Sequence, residues 1–166
     1  MNSKTSWLAV AVLLLSTPAA IAADGKFHAG IGLSNLELDG ANSVNMSITA
    51  GYKIHSWQFS SMIQSVDVDV EGQYADSISG TDDVRNYSAF AVARLYTSNQ
   101  LYFKLKQGFT DFPDAPLVGL DAEASHIGLG AGVGYDLNAG AIELEYTYPN
   151  KTIHASSIEM SYKLRF

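Results

Sequence analysis

Residues 157–166 read Ser157-Ile158-Glu159-Met160-Ser161-Tyr162-Lys163-Leu164-Arg165-Phe166, and they alternate without a break. Ile158, Met160, Tyr162, Leu164 and Phe166 fall on one side; Ser157, Glu159, Ser161, Lys163 and Arg165 fall on the other. Successive side chains of a strand point to opposite faces, so this period of two predicts a strand with one apolar and one polar face. A soluble sandwich would bury the apolar face. A transmembrane barrel turns it to lipid and turns the polar face to the lumen.

The split repeats upstream. Ile142, Leu144, Tyr146 and Tyr148 alternate with Glu143, Glu145 and Thr147. Ile127, Leu129, Ala131, Val133 and Tyr135 alternate with Gly128, Gly130, Gly132 and Gly134. Phe27, Ala29, Ile31 and Leu33 form a first segment, and Val44, Met46, Ile48, Ala50, Tyr52 and Ile54 a second. In the third segment Trp57, Phe59 and Ile63 share a face; past Gln64 the apolar parity moves to Val66, Val68 and Val70, which a bulge there would explain. The fourth runs from Arg85 to Thr97, and if Arg94 points inward so do Phe90 and Val92. The fifth, Leu101 to Phe109, sets Lys104 and Lys106 opposite Phe103 and Leu105. Short connections are expected near His55-Ser56, Ser98-Asn99, Asn138-Ala139-Gly140 and Pro149-Asn150-Lys151, and longer ones at 37–42, 71–82 and 111–122.

The contents of the two faces decide between sandwich and barrel. A sandwich's wet face should be bulky and charged, whereas here the polar faces carry the 128–134 glycine row with Gly30, Gly32, Ser47, Thr49 and Gly51. A narrow barrel has room inside for small side chains mixed with a few large ones. Phe27, Tyr52, Trp57, Tyr135 and Phe166 stand near strand ends, where an aromatic girdle would lie. The expected fold is therefore all-β: an eight-stranded antiparallel up-and-down transmembrane β-barrel over 23–166, monomeric, with both termini periplasmic.

The first residues are expected to be a cleaved signal peptide, 1–22. Lys4 supplies the positive region, Trp7 to Leu15 the apolar run, and Ala20-Ile21-Ala22 the small-residue cleavage site. That run is shorter than the roughly 20 residues of a membrane helix. The chain has no cysteine, so disulfides play no part. Its formal charge of -7 does not suggest nucleic-acid binding.

Tyr162-Lys163-Leu164-Arg165-Phe166 resembles the C-terminal targeting signal of bacterial outer-membrane proteins. The run Gly128-Leu129-Gly130-Ala131-Gly132-Val133-Gly134-Tyr135-Asp136-Leu137 resembles the penultimate-hairpin region of OmpA-like and OmpX/Ail-like small barrels. The resemblance implies a Gram-negative outer-membrane location, with the outer-membrane assembly machinery reading Tyr162, Leu164 and Phe166. It does not fix a function, because such barrels host adhesins, enzymes and structural proteins. No peptidoglycan-binding domain of the full-length OmpA-like kind is expected, nor the long basic loops of some Ail-like adhesins.

Within the lumen, Arg94, Lys104, Lys106, Lys163 and Arg165 are expected to pair with Glu143, Glu145 and Glu159, since an isolated buried charge is costly. Glu143 and Glu145, next to Lys163 and Arg165, are expected to find a base across the interior. His154-Ala155-Ser156 places a histidine and a serine on one side of the last strand, a pairing that small lipid A deacylase barrels carry facing the lipid. Serine chemistry also needs a group that orients the base, and no outward glutamate is evident beside His154, Glu145 and Glu159 being inward by parity. Asp67-Val68-Asp69-Val70-Glu71 reads as a solvated acidic rim near the outer end of the third strand; it lacks the spacing of a calcium loop. The glycine row opens no helix and is no phosphate loop.

The acids Glu37, Asp39, Asp76, Asp82, Asp83, Asp114 and Asp121 map to loops at one end, where Lys151 is the clear base and Arg85 lies nearby. That end is expected to meet lipopolysaccharide through weakly held Mg²⁺ or Ca²⁺ and to refuse polyanions. The expected role is structural or surface-interactive (adhesin-like) and non-enzymatic, with no cofactor and no resident metal. Outer-membrane lipids and lipopolysaccharide are the expected surroundings. A lipid A-modifying enzyme using His154 and Ser156, or a narrow small-solute channel, are the alternatives.

Overall fold

Backbone N–H and C=O groups in hydrocarbon need partners within the chain, and alternating strands supply them all only by closing into a ring. A computed structural model describes residues 26–38, 41–80, 85–113, 125–137, 139–150 and 155–166 and shows that closure. The strands are β1 (Phe27–Leu38), β2 (Ala41–Gln58), β3 (Ser65–Gly80), β4 (Asn86–Tyr96), β5 (Leu101–Asp111), β6 (Ser125–Leu137), β7 (Gly140–Asn150) and β8 (Ala155–Arg165). Each pairs antiparallel with its neighbour in sequence, and β1 pairs with β8, so the barrel is eight-stranded and up-and-down as expected. Phe166 N–H donates to Phe27 O at 2.8 Å, which ties the two ends of the described chain together. The turns 59–64 and 97–100 and the junction of β6 with β7 lie at this terminus-bearing end; the facing ends of β1 and β2, β3 and β4, β5 and β6, and β7 and β8 lie at the opposite end.

The barrel is inside-out relative to a soluble protein. Ile31, Leu33, Phe103, Leu105, Ile127, Leu129, Ile142, Leu144, Ile158 and Met160 are exposed, while Lys104, Glu143, Glu145, Arg94 and Lys163 are buried. Ring pairs mark both rims of the apolar belt. Phe27 and Tyr52 meet at 5.8 Å near the terminus-bearing end, and Tyr74 and Tyr87 meet at 5.1 Å toward the opposite end.

The middle of the chain corrects several sequence expectations. β2 runs on through His55-Ser56 to Gln58, so the turn is 59–64 and Trp57 belongs to β2. The parity break lies before that turn: Lys53 pairs with Asp69 but His55 pairs with Val68, leaving Ile54 as the extra residue of a bulge. Segments 37–42 and 71–82 are mostly strand, with Leu38 paired to Ala41 and β3 continuing to Gly80. A bridging span of about 9–11 residues suffices for a membrane strand. The 18 residues of β2 and 16 of β3 therefore outrun the bilayer, and beyond it the hydrophobic alternation that marks a strand has no cause to persist.

Candidate functional site

Inward positions of β3, β4, β5, β7 and β8 bring eight charged side chains to one level of the lumen. Glu71 accepts from Lys104 Nζ at 2.8 Å, from Lys163 Nζ at 3.0 Å and from Arg94 Nη2, and its Oε1 lies 3.0 Å from His28 Nε2. Glu143 accepts from Lys163 at 2.8 Å, Lys104 at 2.9 Å, Arg94 Nε at 3.1 Å and the Tyr102 hydroxyl at 2.5 Å. Glu145 accepts from Lys104 and Lys106, both at 2.7 Å, and Asp69 pairs with Arg94. Four carboxylates (Asp69, Glu71, Glu143, Glu145) thus meet four bases (Arg94, Lys104, Lys106, Lys163), and the formal charge of the cluster is zero. Glu71, Glu143, Glu145, Arg94, Lys104 and Lys163 each have more than one opposite partner, the condition under which Coulomb attraction offsets desolvation, while Asp69 is held by Arg94 and Lys106 by Glu145.

The glycine rows are the complement of this cluster. Gly134 is the cross-strand partner of Tyr102, Gly130 of Lys106, and Gly30 of Lys163. A Cβ at Gly134 would lie 2.1 Å from the Tyr102 ring, at Gly130 2.6 Å from the Lys106 stem, and at Gly30 2.6 Å from the Lys163 stem. Small residues on one strand make the room that long side chains on the next one fill.

The cluster divides the interior. On its terminus-bearing side is a hollow of about 20 Å³ lined by His28, Lys53, Asp67, Tyr96 and Arg165, among others. On the other side is a second hollow of about 20 Å³ with mostly neutral polar walls, including Ser34, Gln73, Thr110, Thr147 and Ser157. Either has room for about one water molecule. Tyr102 and Lys104 are fully buried in the interior, Tyr102 against Tyr96 and Ala141.

Of the residues expected in the lumen network, Arg94, Lys104, Lys106, Glu143, Glu145 and Lys163 sit together. Two stand apart. Glu159 accepts from Ser47 Oγ at 3.0 Å and Gln73 Nε2 at 2.5 Å, and no ion pair to it is found among the described residues. Arg165 makes two 2.6 Å bonds to Asp136 and one of 2.9 Å to the Tyr96 hydroxyl, at the terminus-bearing mouth; its partner is neither Glu143 nor Glu145. Sequence reading missed Asp69 and Glu71. Asp67, Asp69 and Glu71 are no acidic rim: all three are buried in the lumen, with Asp67 bonded to Lys53 at 3.3 Å and Ser56 at 2.6 Å. Their alternation with Val66, Val68 and Val70 carried that signal, once the turn is placed at 59–64.

His28, Asp69 and Glu71 bring three metal-ligand atoms within 4.8 Å of one another. The same carboxylates already hold Arg94, Lys104 and Lys163, so a divalent ion there would face three cations. The donor set suits the ion pairs.

On the outer surface, Tyr162 is exposed with Ile158 and Met160. Ser156 has the same parity and is paired by register with Glu37, which is exposed on the outward face of β1. An outward glutamate therefore stands across from Ser156; His154, beside which none was expected, lies outside the described residues. Glu37 and Asp76 belong to strands, not loops, while Asp39, Asp82, Asp83, Asp114, Asp121 and Lys151 lie outside the described residues.

Solved structures with this architecture include the outer membrane enzyme PagL, at 10% identity and TM-score 0.63, covering 82% of this chain and 99% of that one. A de novo designed transmembrane beta-barrel matches at 14% identity and TM-score 0.58, over 86% of this chain and 96% of that one. Ail, the attachment invasion locus protein of Yersinia pestis, matches at 15% identity and TM-score 0.46, over 85% and 97%. At these identities the likeness concerns the fold, which an enzyme and a designed protein share. No curated protein matches in sequence. The outer membrane protein beta-barrel domain family matches residues 7–166, and with a closed eight-stranded barrel, an apolar exterior and an ion-filled lumen on the page, this chain belongs to that family of the bacterial outer membrane.

Proposed function

We propose that the barrel is a structural or surface-interacting protein of the outer membrane, neither a pore nor an enzyme, with both termini periplasmic. The observation that carries this reading is the neutral ion cluster across the lumen, fixed by hydrogen bonds from five strands. Opening a conducting path means separating several buried pairs at once, each separation costing several kcal/mol. Planar-bilayer recording of the refolded protein is expected to show no stable conductance steps. Sustained porin-like steps would replace this reading with the channel.

A second reading rests on Ser156 facing outward across from Glu37. With His154, which lies outside the described residues, as base, the sequence would supply the three residue types of serine acyl chemistry. Mass spectrometry of lipid A from cells with and without the protein separates the two. An unchanged acyl pattern is expected; loss of an acyl chain that Ser156→Ala abolishes would establish the enzyme.

The end opposite the termini carries Glu37 and Asp76 on its strands and further acids in sequence. This end faces outward and interacts with anionic lipopolysaccharide through divalent cations that screen like charges. Heparin, a polyanion, is expected to leave the protein unbound at low salt. Tight, salt-sensitive heparin retention would overturn the surface assignment.

A further inference from the structure

The lipid-facing side of β5 carries one polar residue in the middle of its apolar row. Gln107 is the seventh of the strand's 11 residues, between Leu101, paired with Tyr135 at the terminus-bearing rim, and Asp111 at the other end. It is exposed on the outward face, in parity with Leu105 and Phe109. Its cross-strand neighbours are Ala91 on β4 and Leu129 on β6, so the four outward positions around it are all apolar. No partner for its amide is found among the described residues. A strand of about 9–11 residues crosses the hydrocarbon, which sets this amide near mid-membrane and out of reach of water. An unpaired amide is costly there.

A second, independent observation lies beside it. Gln107 borders an external hollow of about 570 Å³ whose wall includes the small side chains of Ala50, Ala89 and Ala91. Phe27 and Tyr52 line it toward the terminus-bearing rim, and Phe109, which is 60% exposed, stands on its β5 side. Small residues let two membrane-embedded backbones approach closely, and amide side chains hydrogen-bond across such contacts.

We propose that a second copy of this chain packs on this face, in a two-fold dimer centred on the seam between β4 and β5, in place of the monomer expected from sequence. Lipid does not answer the amide, because lipid polar groups stay at the headgroup level and only hydrocarbon reaches Gln107. A second Gln107 does: a primary amide carries both donors and an acceptor, so two of them satisfy each other. Both copies cross the membrane in the same sense, so the axis follows the membrane normal and equal heights meet. Ala89 and Phe109 are register partners across that seam. The two-fold therefore sets Phe109 of each copy over Ala89 of the other, a large side chain over a small one, and one patch serves both sides.

The chain has no cysteine, so Ala91→Cys supplies a single thiol beside the seam. The test treats outer membranes holding this variant with a short linker that joins two thiols, and counts only folded, heat-modifiable protein. A product of twice the chain's mass is expected. Adding Gln107→Leu is expected to lower its yield severalfold, and adding Ala89→Phe, which fills the place of the second copy's Phe109, to abolish it. Ile158→Cys, exposed on β8 at the far side of the barrel, is expected to give none. Uncrosslinked monomer alone from Ala91→Cys, a product of another mass, or equal yield from Ile158→Cys would overturn the dimer. So would a yield that Gln107→Leu leaves unaltered, since the contact would then owe nothing to the amide.

Discussion

Glu71→Gln is expected to lower the unfolding free energy of the vesicle-inserted barrel by about 3–5 kcal/mol, the usual cost of removing one partner from a buried ion pair. The glutamine keeps the volume but strips the charge that Arg94, Lys104 and Lys163 share, leaving the cluster with one excess buried cation. Glu71→Gln with Lys163→Met restores neutrality, so the double variant is expected to be more stable than the sum of the two single losses implies. Urea unfolding in lipid vesicles measures all four corners of this cycle. Additive losses, or a single variant within about 1 kcal/mol of wild type, the net worth of an ordinary hydrogen bond, would dissolve the cluster as a unit.

How far such a site can be read from sequence depends on what each residue's neighbours reveal. β8 and β7 are legible because their alternation is unbroken: Glu143, Glu145 and Lys163 could be set on the inner face, and they lie there. β3 is not, because two parity changes fall close together, the Ile54 bulge on β2 and the turn at 59–64. Placing a turn at His55-Ser56 sent Asp69 and Glu71 to an imagined outer rim and hid the centre of the cluster. Partners across the lumen are hidden for another reason. Glu71 and Lys163 are separated by 92 residues and share no hairpin, so nothing local in either strand points to the other. Arg165 and Glu159 have the right parity for the cluster but the wrong height along the axis, which the barrel's tilt and register set.

Gly134→Ala is expected to be a strongly damaging single-methyl change. Its Cβ would lie 2.1 Å from Tyr102, whose ring is fully buried and has no space to retreat into. Overpacking of this kind costs about 1–3 kcal/mol. Displacing the ring also breaks its hydroxyl's bond to Glu143, a bond to a charged group worth about 1.5–3 kcal/mol. Gly72→Ala is the control: on the outward face its Cβ meets nothing nearer than 4.0 Å. It should be neutral or slightly stabilising, since alanine restricts the unfolded chain. Equal losses at the two positions in urea unfolding would mean that the glycine row does not act by making room for Tyr102.

The strand origins of the ion cluster also constrain how the protein can enter a membrane. Lys104 and Lys106 are on β5, and their acids are on β3 and β7; no β-hairpin of this chain contains a neutral set. A half-built sheet would present bare ammonium or carboxylate groups to hydrocarbon. The charges must therefore cross while still hydrated, and the last water must leave as the seam between β1 and β8 seals. The reverse path has the same bottleneck. A finished barrel cannot peel away one hairpin at a time, so its lifetime in the membrane is set by the height of that single concerted barrier and not by the modest free energy separating its end states.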